Sequence, residues 1–118
     1  MSNHEKIHYL EFQAKDIAAT KAFFKEVFNW NYTDYGPDYV AVHNAGMEVG
    51  FYRSDKCAST ENGSALIVFF SDELEETLAK VESAGGTIIK PIFSFPGGKR
   101  FHFTDPNDNE FAVWGEEK

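Results

Sequence analysis

Cysteine is nearly absent from this 118-residue chain: Cys57 stands alone, so no disulfide can form within it and a hydrophobic core must hold the fold, as suits a reducing compartment. Its surroundings, SDKCASTENG, have the polarity of an exposed linker. A nucleophilic thiol would need an activating base or positive field beside it, and a plain loop thiol is the expectation. Basic residues are also scarce, 11 against 19 acidic, and the resulting charge of −8 repels phosphate backbones and anionic lipid headgroups. Nucleic acid and membrane surfaces are thereby set aside as partners. No apolar run approaches the roughly 18 residues of a membrane span, and the opening MSNHEKIHYLE has no apolar stretch of the kind found in a secretory signal. The expected location is cytoplasmic.

Aromatic residues, by contrast, are abundant: twelve Phe among a 16% aromatic content supply a core and leave surface over for a pocket or an interface. A strand, an aspartate and an amphipathic helix occur twice, in IHYLEFQAKDIAATKAFFKEVF around Asp16 and in LIVFFSDELEETLAKV around Asp72. Each copy is followed by short alternating segments, so the chain reads as two similar half-domains able to enclose a cavity. In the first strand, Ile7 to Gln13, alternation puts His8, Leu10 and Phe12 on a packing face and Tyr9, Glu11 and Gln13 on a wetter one. Asp16 is placed to cap a helix ending near Asn29, with Ala19, Phe23, Val27 and Trp30 on its apolar side. Strands are expected over Tyr39 to Asn44 and Glu48 to Arg53.

In the second half, Leu66 to Phe70 reads as a nearly continuous apolar strand, and Asp72 with Glu75 as a D-x-x-E capping box. Leu74, Leu78 and Val81 mark the face of a helix stopped by Gly85-Gly86. Thr87 to Ile92, Arg100 to Thr104 and Glu110 to Gly115 supply the remaining strands. Between two of them, FSFPGGK (Phe93 to Lys99) reads either as a flap over a ligand or a partner's groove, or as a plain connection whose Phe residues pack inward.

Phe23-Phe24 lie seven residues past Asp16, the helix ends in Phe28-Asn29-Trp30, and a Phe103-Thr104-Asp105-Pro106-Asn107-Asp108-Asn109-Glu110 run lies near the C-terminus. With these features the chain resembles the vicinal oxygen chelate superfamily, whose members include glyoxalase I, bleomycin-resistance proteins, fosfomycin-modifying enzymes and extradiol dioxygenases. Relatives have F-G-W at the helix end and F-x-D-P-x-G-N at the turn. Here Asp108 replaces the turn glycine, and because Asp and Asn tolerate positive φ the hairpin is expected to persist as a structural turn. The resemblance implies an α+β fold of two βαβββ modules with curved mixed sheets, forming one domain over residues 1–118. Module 1 would take about residues 5–54, a linker 55–63 and module 2 about 64–116. Small members commonly pair as homodimers.

The resemblance also implies a divalent metal held by His, Glu or Gln from four strands, suited to Mn, Fe, Ni or Zn. Counted from Asp16, Asp72 and Asp105, three of those positions fall on Tyr9, Leu66 and Ala112, and only Glu48 offers a conventional ligand. A catalytic centre needs about three protein ligands, so no metal and no cofactor is the expectation. The alternative is a relocated site drawn from His8, His43, His102, Glu11 and Glu110, although His8 and Glu11 lie on opposite strand faces.

Without metal, the residues aimed at the cavity carry the functional expectation. These are Tyr9, Glu11, His43 and Glu48 from the first half, with Leu66, Val68, Phe70, Ala112 and Trp114 from the second. Glu11 would be costly to bury unpaired, so it should meet an Arg or Lys or be held for a ligand, and it is the candidate catalytic base if there is chemistry. The leading expectation is metal-free binding of a small aromatic or cationic molecule. The alternatives are a glyoxalase-like lyase, isomerase or dioxygenase with a rearranged site, and a dimeric interaction module with a filled interior.

Overall fold

The computed structural model describes residues 4–117. The first strand β1 (Tyr9–Ala14) leads to helix α1 (Ile17–Phe28) and strands β2 (Tyr32–Asp34), β3 (Tyr39–Val42) and β4 (Glu48–Arg53). The order repeats in β5 (Ile67–Phe70), α2 (Leu74–Ser83), β6 (Thr87–Phe95), β7 (Gly98–Thr104) and β8 (Glu110–Gly115). Each module forms its own open, curved four-stranded sheet, β1-β4-β3-β2 in sheet A and β5-β8-β7-β6 in sheet B. β1 runs parallel to β4 and β5 parallel to β8, while every other pair is antiparallel. This is the α+β pair of βαβββ modules expected from the repeat.

Both sheets turn one face, here called the back, toward a shared aromatic core. Leu10, Phe12 and Ala14 of β1 point there, with Val49 and Phe51 of β4 beside them, and Phe101, Phe103, Phe111 and Val113 line the back of sheet B. Phe24 on α1 joins the two sheets, its ring 5.9 Å from Phe51 and 5.5 Å from Phe111. Phe12 and Phe111 meet directly across the module boundary at 5.2 Å.

Helix α1 is closed at both ends by local chemistry. The Asp16 carboxylate accepts the Ala19 N–H at 3.1 Å, and Asn29 takes the left-handed conformation at φ 57. Asn29 N–H then donates to Lys25 O and Trp30 N–H to Phe24 O, a reversal that stacks Trp30 on Phe24 at 4.4 Å.

Some sequence expectations are corrected by competing local bonds. Helix α2 starts at Leu74 with Glu73 at the cap position, one residue later than the Asp72 start read from sequence, and Ser71 Oγ accepts the Glu73 N–H at 3.0 Å. The first strand begins at Tyr9, leaving Ile7 and His8 exposed ahead of it, and β3 stops at Val42 because Asn44 turns to accept the Asn31 N–H at 2.7 Å. The Phe93 to Lys99 segment is no flap. β6 and β7 run through it in register to Phe95 opposite Gly98, leaving Pro96-Gly97 as a two-residue turn. Gly98 permits the close pairing, since a Cβ there would collide with the Gly115 carbonyl oxygen.

The segment between the modules is not a free linker either. Glu110 N–H donates to Ala58 O and Ala58 N–H to Asn109 Oδ1, both at 2.7 Å, so residues 58–60 are fastened to the start of β8. Cys57 is accordingly half-buried instead of exposed. The D-P turn takes part in the same clamp, with Asp108 at φ 67 as its positive-φ residue. Asn107 accepts the Asp16 N–H at 2.8 Å and donates to Asp16 O and Thr20 Oγ1, while Asn109 donates to Gln13 O at 2.7 Å. A turn of module 2 thus caps the first helix and strand of module 1.

Candidate functional site

Packing the back faces together leaves the two front faces uncovered in a single chain. On sheet A the front carries Tyr9, Glu11 and Gln13 of β1, in register with Glu48, Gly50 and Tyr52 of β4, and then Tyr39 and Ala41 of β3. On sheet B it carries Val68 and Phe70 of β5, in register with Ala112 and Trp114 of β8, and then His102 and Arg100 of β7. Tyr9 is 43% exposed on the edge strand of sheet A, and Val68 41% and Phe70 51% on the edge strand of sheet B, an exposure of large side chains that marks both faces as candidate contact surfaces.

The front of sheet A is phenolic and acidic. The Tyr9 hydroxyl donates to Glu11 Oε2 at 2.8 Å, so Glu11 meets neither Arg nor Lys and stands exposed. Gly50 is the floor beneath them, and a Cβ there would strike the hydroxyls of both Tyr39 and Tyr9. The two phenols therefore converge over a bare stretch of backbone. Partial burial pushes the Tyr39 phenol above its ordinary pKa, which keeps it protonated and able to donate. His43, just past β3, approaches Glu48 Oε1 at 3.6 Å through Nδ1 and Thr33 Oγ1 at 2.7 Å through Nε2. It is tied to the sheet margin.

The front of sheet B differs from expectation in its upper half. Ala112 is fully buried, and Leu66 lies half-buried just ahead of β5. Beside Ala112, His102 Nδ1 lies 3.0 Å from Glu110 Oε2, and Thr60 donates to Glu110 Oε1 from its N–H at 2.7 Å and its hydroxyl at 2.9 Å. Burial would raise the Glu110 pKa, but the bonds from His102 and Thr60 outweigh it and hold the carboxyl below its usual range. Arg100, His102, Glu110, Tyr39 and Tyr52 were not among the ligand-lining residues expected from sequence. The signal was there in part: in R-F-H-F-T, residues 100 to 104, the two Phe mark the core side, so Arg100 and His102 must face front.

Three depressions adjoin these faces or lie apart from them. One of about 260 Å³ opens on sheet B between Val68, Phe95, Gly97, Arg100 and Trp114. Another of about 280 Å³, walled by Leu10, Trp30, Met47, Ile67, Phe69 and Phe111 among others, is an apolar slot between the modules. The largest, about 690 Å³, lies at the start of α1, where Lys21 pairs with Asp34 and Arg53 approaches Asp38. Lys15 and Asp16 also line it, and no set of groups converges on a reacting atom.

The residues at the inherited ligand positions do not fit a divalent metal. Leu66 and Ala112 have no donor atom, and the Tyr9 hydroxyl is committed to Glu11. The relocated set is divided between two sheets, with Glu11 and His43 on one and His102 and Glu110 on the other, and His8 ahead of β1. Among the described residues no three His, Cys, Asp or Glu side chains gather closely enough to hold an ion.

Two βαβββ modules, each with an open sheet whose front face is exposed, define the structural class. The model of the Glyoxalase/Bleomycin resistance protein/Dioxygenase superfamily matches residues 6–113, and the chain belongs to that superfamily. Among solved structures it is similar to a glyoxalase-related enzyme from Fulvimarina pelagi, with a TM-score of 0.79 and 15% identity over 95% of this chain and 88% of that one. It is also similar to a family enzyme from Burkholderia phytofirmans PsJN, with a TM-score of 0.76 and 18% identity over 91% and 95% of the two chains. A third is a mutant fosfomycin resistance protein from Listeria monocytogenes complexed with Mn(II) and 1S,2S-dihydroxypropylphosphonic acid, at TM-score 0.78 and 19% identity over 93% and 89%. At these identities the likeness is one of fold. No curated protein matches the chain. Among the described residues no helix is long and apolar enough to cross a membrane.

Proposed function

We propose that the chain is a metal-independent small-molecule binder of this superfamily, working as a homodimer in which the front of sheet A of one copy faces the front of sheet B of the other. The ligand class for sheet A is a small cation with an aromatic or apolar body. The observation that carries this is the Tyr9–Glu11 pair beside Tyr39 and Glu48: phenol rings and carboxylates on one open face, with no Lys or Arg paired to them among the described residues and only His43 near Glu48. A cation there gains both carboxylate attraction and the negative faces of the rings, and the overall charge of −8 steers it inward.

The pairing of copies is supported by exposed Val68 and Phe70 on one face and exposed Tyr9 on the other. Two different patches on one chain that meet reciprocally about a twofold axis close into a dimer and leave nothing open. Glu11 accepts a phenolic hydrogen bond and stands in solvent, which suits ligand binding; the superfamily's lyase, isomerase and dioxygenase chemistries would need metal ligands that Leu66 and Ala112 do not provide.

Calorimetric titration of phenethylammonium into protein dialysed against EDTA tests the proposal. Saturable binding is expected, weakened about tenfold by Glu11→Gln, because a charge-assisted hydrogen bond is replaced by a neutral one. No binding, or equal binding by the variant, overturns it.

A further inference from the structure

The front of sheet B holds a site of opposite chemistry. Arg100 lies in register with Phe93 on one side and Trp114 on the other. Its guanidinium carbon is 5.8 Å from the centroid of the Phe93 ring and 5.7 Å from that of Phe95, so the cation is walled by two aromatic rings of β6. Behind it, Nη2 and Nε lie 2.8 Å and 3.2 Å from His102 Nε2.

The hydrogen bonds fix the protonation of this chain of groups. Glu110 accepts from Thr60 through Oε1, and its other oxygen faces His102 Nδ1. An ionised carboxylate only accepts, so His102 carries its proton on Nδ1, and Nε2 presents a lone pair to Arg100. Arg100 is therefore aimed by a neutral imidazole, and its charge is not cancelled by a contacting carboxylate. Among the described residues no Asp or Glu forms an ion pair with it. A guanidinium has five N–H groups, and those not directed at His102 remain available beside the 260 Å³ depression lined by Val68, Phe95, Gly97 and Trp114.

We propose that Arg100 anchors a small planar acid, its guanidinium pairing with the ligand's carboxylate or comparable oxyanion while Trp114 and Phe95 take the ring. His102 and Glu110 are positioning residues: they hold the guanidinium in one orientation, so little side-chain freedom is lost when the anion arrives. A guanidinium among aromatics, in a chain of charge −8, favours an anion that brings apolar area with it, since bulk anions are repelled. The site uses residues distinct from the cation site of sheet A; in the proposed dimer it looks across to the second copy, so the acid would be held between the two copies.

Benzoate is the probe, and the indole N–H resonances of the two tryptophans report it in proton–nitrogen correlation spectra of the full chain. Trp114 lines the depression, whereas Trp30 is buried in the core and serves as the reference for folding. Benzoate is expected to shift the Trp114 signal saturably and leave Trp30 in place. Benzyl alcohol, the same ring without charge, should bind at least about tenfold more weakly, as should Arg100→Gln toward benzoate. Arg100→Lys, which keeps the charge and loses the planar fork, should fall between. Should Arg100→Gln fail to fold, as a displaced Trp30 signal would show, Arg100→Lys and the benzyl alcohol comparison decide the matter. Equal binding of benzoate and benzyl alcohol overturns the proposal. So does an Arg100→Gln chain that binds benzoate normally, or one that becomes monomeric while wild type ignores benzoate, for then Arg100 pairs with the second copy. Failure here leaves phenethylammonium binding at Glu11 unaffected, and the reverse also holds.

Discussion

Asp105, at the head of the turn that joins the two sheets, sets burial directly against hydrogen bonding. The residue is 3% exposed, and its Oδ1 accepts the N–H of Asn107 and of Asn109, each at 2.9 Å. Burial nevertheless dominates and pushes the carboxyl from 3.8 up to about 6, with Asp108 adding repulsion. An acid raised by folding keeps its proton more tightly in the native chain. Between 3.8 and about 6 the native state therefore binds more protons than the unfolded one, and stability falls as pH rises. The contribution of the protonated form is complete below the lower value and lost above the upper one. At about 1.4 kcal/mol per pKa unit, the shift corresponds to about 3 kcal/mol.

Asp105→Asn retains an acceptor oxygen for both amides and abolishes the titration. Urea unfolding of wild type and variant from about pH 4 to 7.5 gives a stability difference in which other groups cancel, including Glu110, whose lowered pKa acts with the opposite sign. Wild type should lose about 3 kcal/mol relative to the variant across that window. A difference that stays level, or that moves in favour of wild type as pH rises, would mean that the two N–H bonds outweigh burial and would refute the reasoning.

Asn109→Ala should destabilise the chain by about 3 kcal/mol in chemical denaturation, because it strands the Ala58 N–H and the Gln13 carbonyl; a loss under about 1 kcal/mol would show that water replaces the clamp. Gly50→Ala should leave stability within about 1 kcal/mol but displace the Tyr9 and Tyr39 hydroxyls, weakening phenethylammonium about tenfold and sparing benzoate, as parallel titrations would read.

The architecture was legible because it was written twice. Strand, aspartate and helix around Asp16 and Asp72 announced two modules, and the alternation of Tyr9 and Glu11 against Leu10 and Phe12 gave the correct faces of β1. Asp16, Asp72 and Asp105 also serve as rulers, putting Tyr9, Leu66 and Ala112 at the positions where the resemblance implies metal ligands. What the sequence hid depends on distant partners. Asn107 and Asn109 reach across the module boundary to Asp16 and Gln13, and nothing local to the D-P turn foretells those acceptors. Thr60 was part of a polar linker until its two donors met Glu110, and that meeting buries the acid and orders His102 and Arg100. Over Phe93 to Lys99 the sequence leaves flap and plain connection open, because Pro and Gly suit either; the strand pairing decides for the connection, with two residues turning the hairpin.

Native mass spectrometry of the chelator-dialysed protein with phenethylammonium present tests the central claim most directly, because one spectrum reads assembly, ligand and metal together. The account predicts a species at twice 13.4 kDa that carries the ligand and no divalent ion. A monomer, or a ligand-free assembly retaining one metal per chain, would contradict it.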